Sequence, residues 1–64
     1  MKIKRINSGI YDVAFAGRHY ELERYPDGSW LLFEAAPEGS HRPREYMNDF
    51  ATKRAALAAL EGSL

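Results

Sequence analysis

The stretch IYDVAFAGRHYELERYPDGSWLLFE, residues 10–34, contains the clearest strand and turn signals of this 64-residue chain. Apolar and polar side chains alternate through its first half, and a period of two is typical of a half-buried β-strand. Gly17 marks one turn, and the run Pro26, Asp27 and Gly28 marks a second. The stretch therefore predicts three strands in an antiparallel β-meander.

The two turns also predict which residues face each other. Gly17 as the first central residue of a type II′ turn sets Phe15 opposite Tyr20 and Val13 opposite Leu22. Pro26 in a type I turn, followed by a bulge at Gly28, sets Leu22 opposite Leu32. One face of the sheet then carries the apolar residues Tyr11, Val13, Phe15, Tyr20, Leu22, Trp30 and Leu32.

A C-terminal helix is predicted to cover this apolar face. Leu57, Leu60 and Leu64 repeat at helical spacing in an Ala-rich segment. The helix cap is either Asp49 or Thr52, and Asp49 is mildly preferred because it moves the cations after residue 52 away from the positive end of the helix dipole. The predicted fold class is α+β, a three-stranded meander with one helix, in a single domain spanning residues 1–64.

The other face of the sheet carries acidic residues and two large apolar ones. Asp12, Glu21 and Glu23 lie on it, together with Leu31 and Phe33 from the last strand of the meander. That strand is apolar on both faces, so it needs two covers, and one helix provides only one of them.

Two alternatives remain for what covers the second face. Residues 37–49 can fold back over it through Tyr46 or Met47, with a short fourth strand around residues 44–47 after a turn at residues 37–39. Alternatively, a protein partner or a second copy covers the face, since large exposed apolar patches mark interaction sites.

The charge is balanced overall but uneven along the chain. The formal net charge is zero, which argues against bulk attraction to DNA or an acidic membrane. Residues 1–18 hold four cations and one carboxylate, whereas residues 19–38 hold five carboxylates and one cation. The candidate residues for binding an anion or nucleic-acid phosphates are Arg42, Arg44, Lys53 and Arg54, with Lys2, Lys4 and Arg5 as an N-terminal arm.

The composition disfavours an enzyme. The chain has no cysteine, which excludes disulfides and thiol chemistry. His19 and His41 lack metal-ligand spacing, and Glu21 and Glu23 share a flat face without an enclosed cleft. We expect no catalytic residue, no metal and no cofactor. No apolar run follows the N-terminal cations, so we expect no membrane segment and a cytoplasmic location.

The helix start resembles a known family of domains. The order Phe50-x-Thr52-Lys53-Arg54-x-Ala56 is similar to the arm-binding N-terminal domains of phage-type tyrosine integrases, with a looser likeness over residues 10–60. The resemblance implies a meander-plus-helix fold, a phage or mobile-element protein, and DNA binding through the sheet face opposite the helix. Here that face carries carboxylates, which are poorly suited to approach phosphates.

The sequence thus favours a small non-enzymatic interaction protein. The leading hypothesis is that it binds a protein partner, or a second copy, through the face opposite the helix. Leu31 and Phe33 would be the apolar anchors, with Asp12, Glu21 and Glu23 as an acidic rim. The alternative is a DNA-binding module that uses the basic residues at the helix start.

Overall fold

A computed structural model describes residues 1–36 and 41–62, and within them five strands and one helix form. The strands make one antiparallel sheet in chain order. They are β1 (Lys2–Asn7), β2 (Ile10–Phe15), β3 (Arg18–Arg24), β4 (Trp30–Glu34) and β5 (Glu45–Phe50), followed by helix α1 (Lys53–Gly62). The α+β class is confirmed. The three-stranded meander is an undercount, because β5 forms where the possible fourth strand was predicted, at somewhat different bounds, and β1 was not predicted.

The β2–β3 hairpin turns one residue earlier than expected. Ala16 and Gly17 are its two loop residues, with φ angles of 54° and 77°, so the turn is type I′ rather than type II′. Val13 therefore pairs with Tyr20, and the predicted Val13–Leu22 pair is wrong by two residues. Because side chains alternate with a period of two, this shift leaves every residue on its predicted face.

The β3–β4 connection follows the prediction. The Gly28 N–H donates to the Tyr25 carbonyl at 2.9 Å, and Gly28 has a φ of 91°. Leu22 pairs with Leu32, as expected. The Ser29 hydroxyl and N–H both donate to the Asp27 carboxylate, and these bonds lower the pKa of Asp27. The turn is thus fixed by both its backbone and its side chains.

Strand β1 lacks the alternation that predicted its neighbours. All six of its side chains are exposed, so no apolar stripe marks it in the sequence. It pairs with β2 through Ile3 opposite Val13, Lys4 opposite Asp12 and Arg5 opposite Tyr11. The register shifts after Arg5, so the regular part of β1 is residues 2–5.

The core lies between the sheet and α1, on the face predicted for it. The buried cluster comprises Val13, Tyr20, Leu22, Leu32, Ala56 and Leu60, with Tyr11, Phe15, Trp30, Phe50 and Leu57 packed around it. Leu22 is fully buried, and burial of one such side chain contributes about 1.5–3 kcal/mol. Leu64 and the turn predicted at residues 37–39 lie outside the described residues.

Thr52, not Asp49, caps the helix. The Thr52 hydroxyl accepts the Ala55 N–H at 3.0 Å. Asp49 belongs to β5, where it accepts the Tyr46 hydroxyl at 3.0 Å. The mild preference for Asp49 was wrong because strand pairing with β4 keeps the chain extended through Phe50. The helix therefore begins at Lys53, and its first turn contains no acidic residue.

We predict that Ala16→Asn stabilises the protein by about 1 kcal/mol, because Asn adopts the left-handed conformation more readily than Ala and suits a type I′ turn. Urea unfolding measures the change. The matched variant Gly17→Ala should destabilise by a similar amount, although no heavy atom lies within 4 Å of the new Cβ. Stabilisation by both variants would contradict this account of the turn.

We predict that Thr52→Ala lowers the free energy of unfolding by about 1 kcal/mol, the usual effect of losing a helix cap. Asp49→Ala is the control, because it removes one exposed hydrogen bond without touching the helix. Thermal unfolding of both variants is the measurement. An equal or larger loss for Asp49→Ala would mean that Asp49 supports the helix after all.

Candidate functional site

Phe33 is buried, so it does not serve as an exposed anchor on the face opposite α1. Only 7% of the residue is exposed. The Arg44 guanidinium lies 3.8 Å from the centre of its ring, and the Tyr46 ring meets it edge-on at 6.0 Å. The sequence left two covers open, and the structure contains the first of them, because Tyr46 folds back onto Phe33. The sequence analysis did not predict that Arg44 also covers Phe33.

Arg44 also neutralises two of the three predicted rim acids. Its guanidinium nitrogens lie 3.1 Å from a Glu21 oxygen and 2.8 Å from a Glu23 oxygen. Burial favours the neutral form of Arg44, but the hydrogen bonds to Glu23 and Glu21 outweigh it and raise the pKa of Arg44. Arg44 thus reaches from the start of β5 across β4 to β3.

The remaining predicted residues leave a face of mixed charge. Asp12 is exposed and lies opposite Lys4 of β1. Leu31 is half-buried between Glu23 and Asp49, its neighbours on the adjacent strands. The face therefore presents neither an open apolar patch around Phe33 nor an uncompensated acidic rim.

The four predicted anion-binding cations do not form one cluster. Arg44 lies over Phe33, on the face opposite the helix. The Lys53 ammonium lies 4.2 Å from the centre of the Tyr11 ring, on the helix face. Arg54 lines the flank of α1, while Arg42 lies beside Pro43. Strand β5 separates the two pairs in the chain, and Arg44 and Lys53 are on opposite faces of the sheet.

One helix cannot cover five strands. An α-helix with its side chains is about 10–12 Å wide, whereas five strands spaced about 4.8 Å apart span roughly 19 Å. Helix α1 packs against β4 and β5. The helix face of β1 is left uncovered at the far edge, where Ile3 is 46% exposed.

The uncovered region is the part of the helix face of the sheet that lies between α1 and β1. Lys53, at the start of α1, contacts Tyr11 of β2. One flank of the helix therefore faces β2, and β1 lies next to β2 at the edge of the sheet. Ile3 and Arg5 share this face with Val13 and Tyr11, by the register of β1 with β2. We use the name β1 groove for the surface formed by Ile3, Arg5, Tyr11, Lys53, Arg54 and Leu57. The α1 side of this surface borders an open space of about 470 Å³, and the residues that line that space all belong to α1.

The β1 groove combines apolar area with positive charge. Leu57 and Tyr11 are half-buried, and Ile3 offers the most exposed apolar side chain. Arg5 and Arg54 are exposed, and neither makes an ion pair within residues 1–36 and 41–62. Glu61, farther along the same helix flank, is the acidic residue that lines the space. The sequence analysis assigned Arg5 to an N-terminal arm, whereas the structure places it in β1.

The free edge of β1 lies beside this groove. β1 is an outer strand of the sheet, so one side of its backbone pairs with β2 and the other pairs with no strand among the described residues. An unpaired strand edge presents a row of N–H and C=O groups that can pair with another chain. The groove and this edge together form the candidate site.

Among the described residues, no group of three or more His, Asp or Glu residues is placed to hold a metal ion. A helix of sufficient length and hydropathy to cross a membrane is likewise absent from the described part of the chain. Comparison of the chain with models of known protein families, with curated proteins and with solved structures gives no match.

We predict that Arg44→Gln destabilises the protein by about 1–2 kcal/mol, because it uncovers Phe33 and leaves Glu21 and Glu23 without their cation. Each ion pair contributes only a few tenths to about 1 kcal/mol since a third of each side chain is exposed, and the contact with the ring adds a similar amount. Urea unfolding is the measurement. The control is Arg24→Gln, an exposed cation that should change stability by less than about 0.5 kcal/mol. Equal losses in the two variants would contradict the role of Arg44.

Proposed function

We propose that the protein is a non-enzymatic interaction protein that binds a protein partner through the β1 groove and the adjoining edge of β1. The observation that carries the proposal is the position of an exposed apolar side chain, Ile3, on an unpaired strand edge beside an open, partly apolar helix flank. A strand edge supplies backbone hydrogen bonds, and a neighbouring groove supplies side-chain selectivity.

A partner of different sequence fits this edge better than a second copy. Two β1 strands side by side would bring together the cations of both, and like charges on facing residues destabilise a strand pair. Pairing β1 with β5 of another copy would match opposite charges, but the register of β5 is interrupted between Tyr46 and Asn48. Bulges of this kind hinder pairing along an edge.

The face opposite the helix remains a second candidate surface. Leu31 is half-buried there, and Asp12 is exposed. Its apolar area is smaller than the sequence suggested because Arg44 and Tyr46 cover Phe33. DNA binding has less support, since Arg44 and Lys53, two of the cations proposed for it, lie on opposite faces of the sheet.

We predict that linear peptides selected from a random display library on the wild-type protein bind the β1 groove. Ile3→Thr should weaken their binding about five- to tenfold, because it removes apolar area while keeping a β-branched side chain. Leu31→Thr is the matched control on the opposite face, and binding should stay within about twofold of wild type. Titration calorimetry of folded variants gives the affinities, and light scattering identifies any dimer.

The opposite result would place the binding site on the other face of the sheet. Loss of binding in Leu31→Thr with retention in Ile3→Thr would assign recognition to the face opposite α1. Selection of no peptide at all, or selection of binders insensitive to both variants, would overturn the proposal.

A further inference from the structure

We infer that the partner segment is an acidic, extended strand that adds to the free edge of β1. This inference rests on the proposed function and specifies the chemistry of the partner. It follows from two observations, the charge of β1 on both of its faces and the regular register of residues 2–5 with β2.

The regular part of β1 is strongly basic. Lys2, Lys4 and Arg5 are exposed, and none makes an ion pair within the described residues. Three cations within four residues attract a strand that carries carboxylates and repel a strand that carries further cations. A strand that supplies carboxylates gains charge pairs in addition to the backbone ladder.

The cations are divided between the two faces of the sheet. Arg5 lies opposite Tyr11 and Ile3 opposite Val13, so both belong to the face covered by α1. Lys4 lies opposite Asp12, and Lys2 opposite Ala14, so both belong to the other face. A ligand seated only in the groove would meet Arg5 but not Lys4, whereas an added strand alternates its side chains and meets both.

The register gives the partner a sequence pattern. Every strand pair in the sheet is antiparallel, and antiparallel pairing is the more stable arrangement. An antiparallel strand would face Arg5, Lys4, Ile3 and Lys2 in that order. Its own residues would then read acid, acid, apolar, acid, with the apolar side chain beside Ile3 in the groove.

The probe is a synthetic peptide with the core Glu-Glu-Val-Glu, flanked by threonines. We expect it to bind the full chain at physiological ionic strength, where charges farther apart than about 8 Å are largely screened. In amide hydrogen exchange followed by NMR, alternate amides of residues 2–5 should become protected as the peptide saturates the protein, because every second N–H of an edge strand points outward. The Gln-Gln-Val-Gln peptide should bind about tenfold or more weakly, since it lacks three charge pairs.

Two protein variants test strand addition directly. Arg5→Gln and Lys4→Gln remove equal charge from opposite faces of one strand, and each should weaken binding about two- to fivefold. Arg24→Gln, at the far end of β3, is the control and should have no effect. Two peptides N-methylated at alternate positions complete the test, because only the one methylated on the side facing β1 should lose binding.

The outcomes separate the inference from the proposed function. Weakening by Arg5→Gln but not by Lys4→Gln, with no protection of β1 amides, would overturn strand addition while leaving the groove as a binding site. Equal binding of the acidic and the neutral peptide would overturn the acidic partner. Failure of this peptide together with failure of peptide selection would overturn both proposals.

Discussion

Strand β4 must be covered on both faces, and most of the structure follows from that requirement. Trp30 and Leu32 face the helix, while Leu31 and Phe33 face the other way. A ten-residue helix can cover one face only. Because no second helix exists among the described residues, the segment after β4 returns as β5 and supplies Arg44 and Tyr46 to the second face.

This return of the chain sets the position of the helix and the distribution of charge. Once residues 45–50 pair with β4, the helix cannot begin before the strand ends, and Thr52 becomes its cap. Lys53 then falls in the first turn, where the helix dipole disfavours it, but the Tyr11 ring offers its ammonium a compensating contact. The helix lies over β4 and β5, so the opposite edge of the sheet is left uncovered.

The sequence predicted the parts of the fold that depend on local pattern. Alternation assigned Val13, Tyr20 and Leu22 to the core face, and the turn at Pro26 gave the β3–β4 register. The type I′ turn was missed because Ala16 is an unusual residue for a left-handed position. The predicted faces of the β2 and β3 side chains were still correct, since a register shift of two residues leaves every side chain on the same face.

The candidate site could not be predicted in the same way. Strand β1 buries none of its side chains, so it has no periodic signal, and its cations suggested an N-terminal arm. The contact of Arg44 with Phe33 joins residues eleven positions apart through a strand pairing, which composition and spacing do not reveal. The basic residues on either side of β5 looked like one cluster because they are close in the chain, but the sheet directs Arg44 and Lys53 to opposite faces.

The exposure of β1 has a consequence for how the chain can vary. The residues that maintain the core begin at β2, and the six residues of β1 add backbone pairing without adding a buried side chain. Under the proposed function, recognition is encoded in β1 and core packing in the rest of a very short chain. Substitutions along β1 can change its charge and shape while the packing of Val13, Leu22 and Leu60 stays intact, so partner specificity can diverge among related chains faster than the fold.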